Sequence, residues 1–236
     1  MKKFFVWGLV LLGVIIGLTW AQPPDVPPEG EAVQLTRDPG VDISPAWRPD
    51  GKALAFVSNR QGGMHILVVA DNCQFEKKLT DTGNNSAPVF SPDGKEIAFV
   101  SDRAGAPNIW KMTADGGNPQ QLTRFNETEP AWSPDGEWIA FISQRTGAPA
   151  LWIMRRDGSC QTMLVNVPGK PVARPTWSPD SREILFSGNI TGTFDLWACT
   201  RDGVAMRQVT TSPKTEESPH RSLQSDLVAF ASELTG

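Results

Sequence analysis

The stretch Pro130–Arg145, PAWSPDGEWIAFISQR, decides the fold, because the chain repeats it with small changes. It recurs at Pro45 (PAWRPDGKALAFVSNR), at Pro88 (PVFSPDGKEIAFVSDR) and at Pro175 (PTWSPDSREILFSGN). Each copy reads as a strand, a tight turn and a second strand. In Ser-Pro-Asp-Gly the proline presets φ at about −65° for the first turn position. The aspartate bonds its own neighbouring backbone, and the glycine takes a positive φ without steric cost. Ser181 replaces that glycine in the fourth copy, so a serine is expected there in the left-handed region, at a cost of about 1 kcal/mol.

The leading prolines are Pro45, Pro88, Pro130, Pro175 and Pro219, separated by 43, 42, 45 and 44 residues. A period in the low forties is that of a propeller blade. The second copy shows four short apolar segments, Pro88–Phe90, Glu96–Ser101, Asn108–Met112 and Gln120–Thr123. A second turn, Asp115-Gly116, Asp157-Gly158 or Asp202-Gly203, joins the third segment to the fourth, with Asp71-Asn72 at that place in the first copy. In the second segment Ile97 and Phe99 point to one side while Ala98 and Val100 point to the other. A sheet apolar on both sides must be sandwiched, and stacked blades provide that. Trp47, Phe90, Trp132 and Trp177, then Phe56, Phe99, Phe141 and Phe186, recur at fixed places and are expected between blades rather than as a carbohydrate platform.

The fold expected is therefore all-β: a propeller of four-stranded antiparallel blades, four complete and a fifth partial. The repeats fall at about 37–80, 81–123, 124–165, 166–210 and 211–236 of a propeller spanning 33–236. Gln34–Arg37, QLTR, is identical to the fourth-strand segment Gln121–Arg124, so the N-terminal strand is expected to join the last blade and close the ring. A fragment of a longer propeller protein is the alternative.

Residues 1–21 read as an export signal: Lys2 and Lys3, an apolar run from Phe4, and a small-x-small site ending at Ala21. An uncleaved anchor is the competing reading and the only contact with a membrane that the sequence implies. A Pro-rich linker fills 22–32. With 22 basic and 26 acidic side chains and no basic run, nucleic acid is not an expected partner. Cys73, Cys160 and Cys199 allow at most one disulfide and match no metal pattern, and no cofactor is implied.

The combined motif W/F-S-P-D-G-x-x-I-A-F-x-S-x-R, followed by I/L-W-x-M-x-x-D-G-x-x-x-x-L-T, resembles the PD40, or TolB-type WD40-like, repeat. That repeat builds the propellers of periplasmic TolB proteins and of several prolyl oligopeptidase relatives. The resemblance covers Val33 to the end of the chain and implies a periplasmic or secreted bacterial protein. TolB proteins carry a separate α/β domain ahead of the propeller, where this sequence has only the linker. The oligopeptidase relatives add a hydrolase domain, whereas this chain has no G-x-S-x-G elbow and two histidines, His65 and His220.

The loops between first and second and between third and fourth strands are short and repetitive. Those at the opposite end vary from copy to copy, and function is expected there. That end carries Asp42, Asn85, Glu127, Glu129, Arg174, Glu216 and Glu217 just before the leading prolines, with His220 beside them, as a candidate rim for a partner or ligand. Arg60, Arg103 and Arg145 follow the second strands at one repeated position and are expected to be structural. The resulting expectation is a non-catalytic scaffold for a protein or peptide of the cell envelope. The alternatives are a carbohydrate or small-ligand binder and a glycosidase-like enzyme with Glu127 and Glu129 as paired carboxylates.

Overall fold

The computed structural model describes residues 34–36, 39–70, 76–222 and 227–233. The expected signal, the linker, Arg37 and Asp71-Asn72 lie outside them. Each repeat forms one sheet with its strands in chain order. The first sheet holds β1 (Asp42–Trp47), β2 (Ala53–Ser58), β3 (His65–Ala70) and β4 (Glu76–Lys78). The second holds β5 (Asn85–Phe90), β6 (Glu96–Ser101), β7 (Asn108–Thr113) and β8 (Gln120–Gln121). The third holds β9 (Glu127–Trp132), β10 (Trp138–Ser143), β11 (Ala150–Arg155) and β12 (Thr162–Val165). The fourth holds β13 (Val172–Trp177), β14 (Glu183–Gly188), β15 (Asp195–Thr200) and β16 (Met206–Gln208), and the fifth pairs β17 (Glu216–Arg221) with β18 (Val228–Ser232). All ladders are antiparallel, as a propeller blade requires.

The Ser-Pro-Asp turns owe their shape to a serine–aspartate clasp. Ser91, Ser133 and Ser178 donate to Asp93, Asp135 and Asp180 at 2.6, 2.5 and 2.6 Å. The aspartate then accepts a backbone N–H two residues on, from Lys95, Glu137 and Arg182. These bonds favour the ionised form, so Asp93 and Asp180 lie below the ordinary carboxylate range. Ser181 does sit at φ 59°. Its hydroxyl accepts a bond from Asp135 N–H at 3.0 Å, which fastens the fourth turn to the third and offsets the strain.

Successive sheets stack face to face, and the core is the series of layers between them. Ile97, Phe99 and Met112 pack on Ala55, Val57 and Ile66 of the sheet before, and Ile139 and Phe141 pack on Ala98 and Ile109. Trp177, Ile184 and Phe186 pack on Ala140, Ile142 and Leu151, and the last sheet lays Val228 and Phe230 on Leu185, Leu196 and Ala198. Phe99, Phe141 and Phe186 are each 0% exposed, contributing about 1.5–3 kcal/mol of burial apiece. Trp177 also donates its indole N–H to Ala131 O of the neighbouring inner strand at 3.0 Å. Cys199 is buried in β15, where desolvation pushes its thiol up to about 12. Cys160 is exposed in a turn, and neither is in a disulfide.

The two ends of the stack differ from the middle. Trp47 is 40% exposed, whereas its counterparts Trp132 and Trp177 are 9% and 2% exposed, and Ala229 and Ala231 of β18 are also exposed. Gln34–Thr36, expected as an outer strand of the fifth sheet, forms no ladder among the described residues. Leu35 instead packs on Leu54, Phe56, Leu67 and Val69, the apolar side of the first sheet that faces away from the second. An apolar sheet face requires cover, and among the described residues Leu35 supplies part of it here.

Candidate functional site

The inner strands β1, β5, β9, β13 and β17 begin at the variable-loop end, and each opens with a bulge before its leading proline. Proline has no N–H for the ladder, so the register shifts there in all five sheets. The residue before each proline, Ser44, Ala87, Glu129, Arg174 or Ser218, takes φ between 47° and 56°. None of the five is glycine, so each carries about 1–2 kcal/mol of strain. The bulge also carries the strand back past its proline, which is why β5 starts at Asn85 and not at Pro88.

One layer further out lies a clasp repeated in the first three sheets. Arg145 donates to Glu127 at 2.6 Å and to Ser143 Oγ at 2.9 Å, and it stacks on Phe125, Phe141 and Trp152 at 4.9, 5.8 and 4.3 Å. Glu127 is wholly buried and also accepts Phe125 N–H at 2.7 Å. Arg60 bonds Asp42, Ser58 and Glu76 and stacks on Phe56. Burial alone raises Asp42, but hydrogen bonds from Arg60, Ser58 and Thr36 outweigh it and leave the carboxyl below its usual range. In the second sheet Asn85 replaces the acid. Its oxygen accepts from Arg103 at 3.0 Å, and its amide serves the carbonyls of Met64, Thr82 and Gly83. Among the described residues no carboxylate pairs with Arg103, and burial lowers it below the ordinary arginine value. The fourth sheet carries Val172 and Ile190 in place of acid and arginine, and both join its apolar core.

The expected rim residues thus fall into separate places. Asp42, Asn85 and Glu127 face their own arginines and hold loops, so Glu127 and Glu129 are not a pair of solvent-facing carboxylates. Glu129 and Arg174 occupy bulge positions in adjacent sheets, with Glu129 Oε2 accepting Arg174 N–H. Burial raises the Glu129 carboxyl above its usual range, partly countered by that backbone bond and by the Arg174 charge. The Arg174 side chain is exposed. Glu217 is half-buried on β17, Glu216 beside it is buried, and His220 is exposed opposite Ala229. His65 is buried, with Nε2 2.9 Å from Gly62 O. Among the described residues no group of three or more His, Cys, Asp or Glu side chains is placed to hold a metal ion.

Phe125 is a residue that the sequence reading passed over. It lies in the link before β9 and is 59% exposed, resting on the Arg145 guanidinium. Glycine, Gly40 or Gly83, stands at that place in the first two copies and lysine, Lys170 or Lys214, in the last two, so the signal was a large aromatic in a repeat position that has none elsewhere.

Comparison with known proteins agrees with this architecture. The TolB beta propeller domain model, PD40, matches residues 29–129 and 74–236. Among solved structures, that of a putative TolB from Agrobacterium tumefaciens is 26% identical, with a TM-score of 0.75 over 86% of this chain and 73% of that one. TolB from Acinetobacter baumannii is 22% identical, with a TM-score of 0.68 over 86% of this chain and 54% of its own length. A puromycin-hydrolyzing peptidase of Mycobacterium tuberculosis is alike in fold, with 12% identity and a TM-score of 0.63 over 81% of this chain and 38% of that one. A search of curated proteins gives no match. The chain belongs to the TolB beta propeller domain family.

Proposed function

We propose that this propeller is a non-catalytic scaffold of the cell envelope that holds a protein or peptide partner at its variable-loop end. The observation that carries the reading is the layout of that end. Arg174 stands exposed on a strained bulge with Glu129 half-buried on the neighbouring one, and Phe125 stands exposed in the link before β9, on a frame locked by the arginine clasps. Strain at adjacent repeat positions is retained where a site needs fixed geometry, and an exposed aromatic next to charge is the composition of an interface anchor. The likeness in fold to a chain in a nidogen–laminin complex, 12% identical with a TM-score of 0.65, supports a protein as the partner. The export signal read in residues 1–21 and membership of the TolB beta propeller family support a periplasmic or secreted location.

Peptidases share the fold, but their likeness here is to a propeller in a chain of which this one spans 38%. The test is capture from an envelope fraction by the wild-type chain and by Arg174→Glu, whose side chain is exposed, beside a peptidase and glycosidase screen. The scaffold reading expects one captured protein, lost on charge reversal while the melting temperature changes little. Turnover in the screen, or capture indifferent to the reversal, overturns it.

A further inference from the structure

The fifth sheet keeps half of the clasp. Glu216 stands where Asp42, Asn85 and Glu127 stand, at the start of the inner strand, and it pairs in register with Ser232, the counterpart of Ser58, Ser101 and Ser143. Phe230 takes the place of the ring under each arginine, Phe56, Phe99 or Phe141. The arginine is missing from the sequence: the residue two beyond the serine is Arg60, Arg103 or Arg145 in the first three copies, and Leu234 in the fifth. Glu216 is 6% exposed, and its Oε2 and the Ser232 Oγ are both buried without a hydrogen-bond partner. In the fourth sheet both members of the pair have become apolar, Val172 and Ile190, which leaves no charge behind. Among the described residues, the fifth sheet alone keeps a buried acid at the clasp position without an ion-pair partner, an arrangement that disfavours the folded chain unless something supplies one.

We infer that Glu216, Ser232 and Phe230 form a receptor slot for the guanidinium of an arginine side chain belonging to the bound partner. The slot repeats the chemistry that three other blades satisfy internally: a carboxylate in the first and third, or an amide oxygen in the second, accepting from guanidinium Nη2, a hydroxyl for the guanidinium Nε–H, and an aromatic face for stacking. A lysine ammonium fits less well, since it lacks the planar fork that reaches carboxylate and hydroxyl together. The inference refines the scaffold reading by naming one side chain of the partner, and it rests on that reading.

The probes are the N-acetyl amides of arginine, citrulline and lysine, titrated into the full chain and followed by NMR. The arginine probe is expected to saturate, with the isosteric but uncharged citrulline probe at least tenfold weaker. Glu216→Gln is expected to weaken the arginine probe at least tenfold, and Glu233→Gln, an exposed carboxylate nearby, to leave it unchanged. Leu234→Arg refills the slot from within, so it should abolish probe binding and raise the melting temperature; it serves even if Glu216→Gln fails to fold. Equal binding of arginine and citrulline probes, or undiminished binding to Leu234→Arg, overturns the slot. Failure of the probes with intact envelope capture removes the slot alone, and probe binding without capture removes the scaffold reading alone.

Discussion

At residue scale the chain places two carboxylates, Glu127 and Glu129, two positions apart on one strand and gives them opposite circumstances. Glu127 is buried and receives Arg145, Ser143 and a backbone N–H. Glu129, on the bulge, receives among the described residues the Arg174 N–H alone, and burial raises its pKa. A carboxyl whose folded pKa lies above its unfolded value favours the folded state while protonated and loses that contribution as pH rises from the unfolded value through the folded one. Glu129→Gln keeps the acceptor for Arg174 and removes the charge. Its melting temperature is expected to match the wild type near pH 4 and to exceed it increasingly toward neutral pH, as a calorimetric pH series would show. Phe125→Ala belongs to the same scale. Because the ring is largely exposed, the substitution should cost under about 1 kcal/mol in urea unfolding while weakening partner capture several-fold.

The blades differ at element scale in how they fill one structural slot: acid and arginine in the first and third, amide and arginine in the second, two aliphatics in the fourth. Removing one partner of a buried pair leaves the other charged and unsolvated, so Arg145→Ala should cost about 3–5 kcal/mol. Importing the fourth blade's solution as Glu127→Val/Arg145→Ile should cost far less than the single change, within about 1 kcal/mol of wild type by equilibrium unfolding. Phe141→Ala opens a cavity in a dry interblade layer and is expected to cost about 3–5 kcal/mol by the same measurement. These elements were readable in the sequence because each rests on local chemistry repeated several times. The Ser-Pro-Asp-Gly turn, the alternation of Ile97 to Val100 and the recurring rings all translate directly into the sheets seen. The inner-strand bulge was not readable, since a proline marks a broken ladder without showing that pairing resumes on its far side. The clasp was legible only in part: the repeated arginines stood out, but their acids were indistinguishable from rim charges until the register set Glu127 opposite Ser143.

For the whole molecule, repetition lays five sheets in chain order with stiff turns at one end and individual loops at the other. Between the sheets the layers are dry, so the frame contributes rigidity and the variable end contributes identity. The end sheets are less covered than the middle ones, as Trp47 and Ala229 show, and Leu35 lies on the first sheet rather than beside the last. That arrangement depends on packing between distant segments, which a repeat pattern cannot specify. Hydrogen exchange of the propeller with and without its captured partner shows which end the partner occupies. Exchange is expected to slow at the variable end, in the link around Phe125 and the bulges at Glu129 and Arg174, with the Ser-Pro-Asp turns at Ser91, Ser133 and Ser178 unchanged. Protection gathered on those turns instead, with the bulges untouched, would contradict that expectation.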